Sequence, residues 1–502
     1  MRALLAAALL APALAWPADL YETHCASCHG AARLGAMGPA LLPESLGRLK
    51  KAEAARVIRD SRPGVQMPAF SKTLSEAEIA QLVELIYRPV VPAPRWGEAE
   101  IRASRVVHHA PGALPAKPQF DADPLNLFVV VEAGDHHVTI LDGDRLEPLA
   151  RFASRFALHG GPKFSPDGRY VFFASRDGWI TKYDLWNLKT VAEVRAGLNT
   201  RNAAVSADGK YVMAANFLPH SLVVLDAALE LVKVLGTDSR VSAVYDAAPR
   251  RSFVAALKDV PELWEISYDP KAEPIAGGLV HDYRFKEGAF VPGFLNARRT
   301  RLDQVLDDFF FTPDFRQVVG ASRGGKRGQV VHLDVRRTIA EVDLPGLPHL
   351  ASGITWERRG RRVMATPNLR EAVVSVIDVE GWKTVAEIPT LGPGYFLRSH
   401  EATPYAWVDS MIGPQGRDTL QVIDKDTLEV VARLTPAPGK TLAHVEFDRH
   451  GRYALASLWE AEGALIVFDA RTLAEVKRIP MRKPVGKYNV HNKITRSEGT
   501  SW

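Results

Sequence analysis

The chain has 502 residues, of which 46% are hydrophobic, so it is long enough for more than one ordinary domain and apolar enough for a large core. Its formal net charge is only +5, and it has no run of Lys and Arg of the kind that tracks phosphates, which argues against a nucleic-acid-binding protein. Because there are only two cysteines, a disulfide framework is excluded as the basis of the fold.

The first residues are typical of a secretory signal peptide, which we assign to residues 1–15. Arg2 supplies a positive charge, residues 4–14 are almost wholly Ala and Leu, and Ala13-Leu14-Ala15 has small residues at the spacing of a cleavage site. The apolar run is far shorter than the roughly 20 residues that a membrane span needs, and no later segment meets that length. We therefore expect a secreted, periplasmic protein that does not span a membrane.

The strongest motif follows at once. Cys25-Ala26-Ser27-Cys28-His29 has the form C-x-x-C-H, which is the attachment site of a c-type haem. Cys25 and Cys28, one helical turn apart, can bond both vinyl groups of one porphyrin, and His29 can then direct its imidazole at the iron. A thioredoxin-like C-x-x-C is the rival interpretation, but the trailing histidine and the lack of a βαβ pattern count against it. The motif predicts covalent haem c.

The second axial ligand of this haem should come from further along the chain. Gly38-Pro39 and Met67-Pro68 lie at the spacings of a small class I cytochrome c, and Met67 precedes a helical pattern over 74–87. A thioether ligand raises the haem potential, which suits an electron acceptor; Met37 is the alternative ligand. We expect an all-α class I cytochrome c domain over 16–90 and a Pro-rich linker over 91–123.

The remainder of the chain is repetitive. Seven short apolar runs each end in an aspartate, at Asp142, Asp184, Asp226, Asp334, Asp378, Asp424 and Asp469. The steps between them are 42, 42, 108, 44, 46 and 45 residues, and the long step holds one degenerate unit around 252–265 plus an insertion through about Phe311. A period in the forties with four short strands is typical of a β-propeller, whereas β-solenoid repeats are shorter. The sequence predicts an all-β eight-bladed propeller over 124–502.

A common register places a set of side chains at one rim of the propeller. In each unit an inner strand precedes a hairpin turn, as 201–206 precedes Asp208-Gly209. The chain enters every inner strand from the same rim, so residues seven to eleven positions before each turn should converge on the central channel. The residues in that register are His159, Arg201, Arg240, His349, Arg398 and His444.

Three histidines and three arginines at one rim are costly to desolvate together unless an anionic group lies among them. Neutral imidazole binds iron, and a planar guanidinium binds carboxylates. A flat iron macrocycle with several carboxylates would use both, whereas the alternative is that each residue serves only its own blade. The shared register favours a second, non-covalent macrocycle in the channel.

From Cys25 to its end, the chain resembles the haem d1 proteins typified by cytochrome cd1 nitrite reductase. The resemblance rests on the order of cytochrome and eight blades, and on His159 before Asp167-Gly168-Arg169-Tyr170, Asp177-Gly178 with Asp184-Leu185-Trp186, Pro348-His349, and the closing segment 484–490. It implies that His159 is the proximal ligand of haem d1. In the reductase two distal histidines protonate nitrite; one matches His349, but the other would fall near Leu306-Asp307, where no histidine occurs, which argues against nitrite reduction.

A sister branch, the dihydro-haem d1 dehydrogenases, is more similar, because His444 and the tail segments Lys493-Ile494-Thr495 and Glu498-Gly499-Thr500 resemble it. This resemblance implies oxidation of a propionate side chain of dihydro-haem d1 to an acrylate, with the electrons taken by haem c. Such a reaction needs a base near the side chain and a cationic clamp on its carboxylate. The candidates for base and distal ligand, in either assignment, are His349 and His444; those for the clamp are Arg201, Arg240 and Arg398.

Two alternative functions remain open: a nitrite reductase that works with one distal histidine, and a non-enzymatic carrier that binds haem d1 and hands it to the reductase. A carrier needs affinity without a base, so it would have no use for a second rim histidine. The resemblance also implies partners, namely the haem d1 precursor, nitrite reductase and other maturation proteins, and an external electron acceptor.

Overall fold

A computed structural model describes residues 17–36, 38–47, 49–61, 67–276, 290–322, 324 and 327–500. The described chain forms two compact units that divide between Pro94 and Arg95. The expected signal peptide over 1–15 and the alternative haem ligand Met37 lie outside the described residues. No helix in the described ranges is long and apolar enough to cross a membrane.

The first unit is helical. Its helices are Pro17–His24, Ala26–His29, Pro43–Leu46, Lys51–Asp60 and Glu76–Ile86. The longest begins with a capping box in which Ser75 and Glu78 satisfy each other's backbone N–H groups. Its apolar face packs on the other helices in a core that includes Leu20, Ile58 and Leu82, each under 9% exposed. The predicted all-α cytochrome domain is thereby confirmed.

The segment 91–123, expected to be a linker, instead belongs largely to the second unit. It contains the helix Glu98–Ala103 and the strand Val106–Val107, which pairs antiparallel with Lys189–Arg195 of the propeller. The physical reason is apolar burial: Ile101 is 1% exposed in a propeller cluster, and Trp96 donates its indole N–H to the Arg195 carbonyl at 2.9 Å. A Pro-rich composition did not reveal these anchors.

The second unit is an eight-bladed β-propeller, as predicted; each blade in the described chain has four antiparallel strands, and blade 2 has Val106–Val107 as a fifth, outermost strand. Blades 1 to 4 are Pro484–Asn489 with Leu127–Glu132, His137–Asp142 and Glu147–Ala153; Lys163–Phe164, Tyr170–Ala174, Trp179–Asp184 and Lys189–Arg195; Asn199–Val205, Tyr211–Leu218, Ser221–Asp226 and Leu231–Gly236; and Val241–Ala247, Ser252–Leu257, Glu262–Ser267 and Ala297–Arg301. Blades 5 to 8 are Asp308–Phe311, Gln317–Ala321, Arg327–His332 and Arg337–Asp343; Ile354–Arg358, Arg361–Pro367, Val373–Asp378 and Lys383–Pro389; Leu397–Ser399, Tyr405–Val408, Leu420–Asp424 and Val430–Leu434; and Leu442–Phe447, Tyr453–Leu458, Gly463–Asp469 and Glu475–Met481.

The insertion in blade 4 ends earlier than the sequence predicted. A short hairpin, Ile275–Ala276 with Phe290–Val291, lies within it, and the blade resumes with its outer strand Ala297–Arg301. Asp308–Phe311, assigned above to the insertion, is the inner strand of blade 5. Phe309 and Phe311 are buried between blades 4 and 5 and Phe310 between blades 5 and 6, so these residues are propeller core.

The C-terminal end of the chain closes the ring. The strand Pro484–Asn489 becomes the inner strand of blade 1 by pairing with Leu127–Glu132, with Phe128 opposite Asn489. Helix Val490–Thr495 follows, and the tail then bonds to distant blades: Ser399 donates its backbone N–H to the Gly499 carbonyl at 2.9 Å. Short 3₁₀ helices occupy Pro124–Asn126, Ala248–Arg250 and Leu350–Ser352. A closed ring leaves no exposed sheet edge between first and last blades.

Candidate functional site

The first unit presents the C-x-x-C-H side chains together with a held histidine. Cys25 and Cys28 are partly exposed and unpaired with each other, and His29 is 7% exposed. The His29 Nδ1 donates to the Pro39 carbonyl at 2.8 Å, which fixes the proton on Nδ1 and leaves Nε2 as the ligating nitrogen. A Cβ on Gly38 would lie 2.8 Å from the ring, so this glycine lets the chain pack flat against the imidazole.

Met67 packs in the same core as this motif. Its side chain is partly buried against the hydrophobic cluster that also contains Cys25 and Leu82. The hydroxyl of Ser61 donates to the Met67 carbonyl, which holds the backbone of this loop. The residues of the unit therefore fit a haem: two thiols, a fixed imidazole, a glycine at the ring, and a thioether in the same cluster.

The second unit places the six rim residues as the register predicted, at or just before inner strands. They come from different blades: His159 from blade 2, Arg201 from blade 3, Arg240 from blade 4, His349 from blade 6, Arg398 from blade 7 and His444 from blade 8. In a ring of eight, blades 2 and 6 stand opposite each other. His159 and His349 therefore approach the channel from opposite sides, as two groups would that flank one flat ring.

His159 is oriented by its neighbour on blade 3. Its Nδ1 donates to the Arg201 carbonyl at 2.7 Å, so the lone pair lies on Nε2. That nitrogen accepts from the guanidinium groups of Arg201 at 2.9 Å and Arg176 at 3.0 Å. Arg201 is itself anchored through Nε to the Ser242 carbonyl on blade 4, at 2.9 Å. The His159 imidazole and the two guanidinium groups thus lie together, and a metal at Nε2 would have to replace these two donors.

His349 is held in a similar way on the opposite side. Its Nδ1 donates to the Tyr395 carbonyl at 2.6 Å, and its ring stands edge-to-face against Tyr395 with 5.2 Å between centroids. Burial lowers the pKa of His349, as do the nearby charges of Arg201 and Arg398, although Asp308 opposes the shift. The ring is therefore neutral at neutral pH, with Nε2 able to accept a proton or bind a metal.

His444 has no exposed surface, and neither of its ring nitrogens has a hydrogen-bond partner in the described part of the chain. Burial, and the positive charges of Lys487, Arg398 and Lys493, lower its pKa well below the usual value. A buried polar group left without a partner costs about 1–3 kcal/mol. Its backbone is also left-handed, with φ of 48°, where a β-bulge interrupts the pairing between Ala443 and Val445. A buried imidazole without a hydrogen-bond partner, on a strained backbone, is typical of a ligand-binding position.

One aromatic ring links the rim residues of blades 6, 7 and 8. Phe396 lies 6.1 Å from the ring of His349 and 4.6 Å from that of His444, measured between centroids, and the Arg398 guanidinium lies 6.0 Å from it. Arg398 is 3% exposed, and its Nε has no partner among the described residues. Burial lowers the pKa of this guanidinium, which nevertheless stays charged and suited to a carboxylate.

Arg240 does not join these groups. Its guanidinium forms a bidentate ion pair with Asp259, at 2.5 and 3.0 Å, and is half exposed. Its place in the clamp was predicted from register alone, and the structure gives its charge a carboxylate within the chain. Phe217 lies between Arg240 and Arg176, 5.7 Å from each, so the two cations share one aromatic neighbour.

A second group of charged side chains lies outside the shared register, on the inner strand of blade 2 and in the C-terminal tail. A pocket of about 90 Å³ is lined by Lys163, Tyr245, Asp246, Lys493 and Arg496 among others. Burial and neighbouring cations lower the pKa of Lys163 to about 8 and that of Lys493 to about 7. The lining has three basic side chains, Lys163, Lys493 and Arg496, and one carboxylate, Asp246. Asp246 already forms an ion pair with Arg496 at 2.6 Å. The pocket favours an anion.

Tyr488 and Lys487, from the closing strand, complete the wall beside His444. The Tyr488 ring lies 5.3 Å from that of His444 and contacts Gly161, where a Cβ would meet it at 3.2 Å. Lys487 is fully buried and donates to the Ser457 hydroxyl at 2.8 Å and to the His444 carbonyl. Both residues belong to the segment 484–490, whose sequence is part of the resemblance to the haem d1 proteins.

Leu306 and Asp307 are the residues near which the resemblance would place the second distal histidine of the reductase. Leu306 is fully buried and packs against Gly320, while Asp307 forms an ion pair with Lys258. The first of these side chains is apolar and the second is already paired with a cation, so no histidine is present at these two positions.

Comparisons with known proteins agree with this geometry. Residues 122–493 match the family described as "Cytochrome D1 heme domain", and residues 12–86 match "Cytochrome C oxidase, cbb3-type, subunit III". The chain is 55% identical to the "Dihydro-heme d1 dehydrogenase" of Pseudomonas aeruginosa over 489 residues, which cover 96% of this chain and 95% of that protein. It is 25% identical to the "Nitrite reductase" of Stutzerimonas stutzeri, over 94% of this chain and 92% of that one.

A solved structure of "Dihydro-heme d1 dehydrogenase NirN in complex with DHE" is similar throughout, with 55% identity and a TM-score of 0.87 over 95% of this chain and all of that one. The fold of this chain is therefore shared over nearly its full length. This chain belongs to the cytochrome d1 heme domain family, in the branch of the dihydro-heme d1 dehydrogenases.

Proposed function

We propose that this protein is a periplasmic dihydro-haem d1 dehydrogenase, which oxidises a propionate side chain of its substrate to an acrylate. The observation that carries the proposal is His444, a fully buried histidine whose two ring nitrogens have no partner in the described chain and which lies among the positive charges of Lys487, Arg398 and Lys493. The similarity to a dehydrogenase solved with DHE supports it. The substrate is anionic and contains iron, so its carboxylates match the arginines of this site and its iron matches the histidines.

The first unit would carry haem c, which supplies a one-electron acceptor when bound. Cys25 and Cys28 would attach it, and His29 would ligate the iron through Nε2, because its Nδ1 is held by Pro39. Met67 would be the second axial ligand, packed in the same core. A thioether in that position keeps the acceptor's potential high and favours electron withdrawal from the substrate.

The propeller would hold the substrate edgewise between opposite blades. His159 would be its proximal ligand, oriented by the Arg201 carbonyl, while Arg201 and Arg398 would bind carboxylates. We add Lys163 and Lys493 to this clamp, since their pocket has an excess of positive charge that an anionic side chain would neutralise. Arg240 remains a predicted clamp residue, and it would first have to leave Asp259.

The reaction removes two electrons and two protons from adjacent carbon atoms and leaves a carbon–carbon double bond. Carbon-bound protons are not acidic, so a positioned base is needed. His349 and His444 both have a pKa lowered by burial and both contact Phe396, so one can accept one of the two protons while the other ligates the iron, and the second proton leaves to water. Haem c, when bound, would supply the one-electron acceptor, and an external acceptor would reoxidise it after each electron. We propose nitrite reductase and other maturation proteins as the partners for the product.

The proposal is tested with purified protein containing haem c, given dihydro-haem d1 and an external electron acceptor without oxygen. We expect the acrylate product to form, with haem c transiently reduced, as followed by absorption spectra. A parallel sample loaded with mature haem d1 should turn nitrite over far more slowly than a true reductase, because Leu306 and Asp307 supply no second proton donor.

Each alternative has its own result in that experiment. Binding of the precursor with no conversion would favour the carrier. Nitrite turnover at the level of a reductase would show that a single distal histidine suffices and would overturn the assignment to dehydrogenation. Conversion of the precursor with weak nitrite turnover is the outcome that supports the proposal.

Replacing Met67 with alanine should lower the haem c potential, because a thioether ligand stabilises the reduced iron and its loss removes that preference. Redox titration of wild type and Met67→Ala measures the change. Met411, on the propeller side of the chain, provides a matched control in Met411→Ala. An unchanged potential in Met67→Ala would move the axial ligand elsewhere, with Met37 the first candidate.

A further inference from the structure

The two rim histidines depend on one buried carboxylate. We propose that Asp409 is the positioning residue that sets the spacing and orientation of His349 and His444, an inference that rests on the proposed function of those histidines. Asp409 follows the strand Tyr405–Val408 of blade 7, between the blades that carry the two histidines, and is 1% exposed.

One oxygen of Asp409 holds the backbone of His444. The His444 N–H donates to Oδ2 at 3.1 Å. His444 is the extra residue of a β-bulge, so its N–H lies where the ladder between Ala443 and Val445 is interrupted. A left-handed backbone at a non-glycine residue costs on the order of 1–3 kcal/mol and persists only where its surroundings impose it. The carboxylate imposes it here, and the bulge in turn directs the imidazole inward.

The other oxygen of Asp409 holds the backbone of Tyr395, the residue whose carbonyl orients His349. The Tyr395 N–H donates to Oδ1 at 2.8 Å, and the carbonyl of the same residue accepts from His349 Nδ1 at 2.6 Å. The Asp409 backbone N–H also donates to the Phe396 carbonyl, at 3.3 Å. A Cβ on Gly394 would lie 2.1 Å from the Asp409 carbonyl oxygen, so the two segments are in close contact.

These contacts connect His349 and His444, which belong to different blades, through one carboxylate. If the carboxylate moves, the backbone of Tyr395 is no longer held at its N–H, and its carbonyl can shift away from His349, which then loses the acceptor that keeps its proton on Nδ1. At the same time His444 loses the bond that supports its bulge. Asp409 touches no reacting atom in this arrangement, so it acts through the histidines and not as a base.

The test is Asp409→Asn in the full-length protein with haem c. An amide can accept at its one oxygen, but its NH₂ group opposes the other backbone N–H, so one of the two links is lost. We expect kcat for dehydrogenation to fall by about 10–100-fold, as for other residues that orient ligands, with a much smaller change in KM. The absorption spectrum of bound substrate should shift, because the histidines that face the iron are displaced.

Asp448→Asn is the matched control. Asp448 is also fully buried and also accepts from backbone N–H groups, those of Arg452 and Tyr453, but at the far end of the blade 8 inner strand Leu442–Phe447. It should cost stability without changing the spectrum of bound substrate. Thermal unfolding of both variants separates a loss of fold from a loss of positioning.

Combination with His349→Ala and His444→Ala decides the mechanism. If Asp409 acts through these residues, Asp409→Asn should have little further effect on the spectrum or on kcat once both histidines are removed. Fully additive effects, or a wild-type spectrum and kcat in Asp409→Asn, would overturn the inference. The spectrum of bound substrate is read without turnover, so the test holds even if the wild type does not convert its ligand.

Discussion

Removal of the catalytic base should reduce conversion of dihydro-haem d1 by roughly two to four orders of magnitude while leaving the substrate bound. His349→Ala and His444→Ala are to be tested separately, with bound macrocycle and acrylate product measured in the same anaerobic sample. The variant that binds normally and fails to convert identifies the base. The other variant should alter the spectrum of the bound iron, because it lacks the distal ligand.

His159→Ala is the control for ligation without base chemistry. His159 lies on blade 2, opposite His349, and is oriented by Arg201, so its loss should disturb the spectrum of bound substrate directly. If both His349→Ala and His444→Ala bind and convert like wild type, the rim histidines have no catalytic role.

The pH profile of conversion provides a second reading of the same base. A histidine base works in its neutral form, so activity is present above its pKa and is lost as the pH falls through that value. Burial lowers the pKa of both His349 and His444 below the ordinary value near 6.5. Conversion should therefore hold at neutral pH and decline only below about pH 6.5.

Cys25→Ala and Cys28→Ala should each abolish the normal attachment of haem c through two thioethers, since each thiol bonds one vinyl group. Electron transfer to the external acceptor should fail with it, because no resident acceptor remains. Denaturing extraction, which releases haem that is not covalently held, measures the attachment, and oxidation of dihydro-haem d1 measures the consequence.

The propeller provides the internal control for these variants. It forms a separate compact unit from residue 95 onward, so it should still fold and still bind the substrate. Unchanged covalent haem content in either cysteine variant would contradict the assignment of the motif. Loss of substrate binding would show instead that the variants had failed to fold.

The fold was largely predictable because its signals are periodic. Strand runs that end at Asp184, Asp226 or Asp378 recur at nearly constant spacing, and the structure places each run as the third strand of a blade. The same regularity singled out His159, His349 and His444, because residues that share a register in a propeller occupy equivalent positions on their different blades. The C-x-x-C-H motif could be recognised without knowledge of the fold, because its residues are adjacent in the sequence.

What the sequence did not reveal depends on contacts between distant residues. No period marks Lys163 or Lys493 as channel residues, and the bonds from Asp409 to Tyr395 and His444 arise only when blades 6, 7 and 8 stand side by side. The segment 91–123 was expected to be a linker because its prolines outweigh the few apolar residues that anchor it. A single sequence shows the period of its repeats, but it does not show which distant residues will contact each other.

The closing strand Pro484–Asn489 has a consequence for the order in which the protein becomes active. Blade 1 receives its inner strand from the last residues of the chain, and Tyr488 and Lys493 arrive with it. A chain still being synthesised that lacks this strand has only an open arc of blades. We therefore expect the propeller site to form only after residues 484–493 have been added, so a chain without them should not bind the macrocycle.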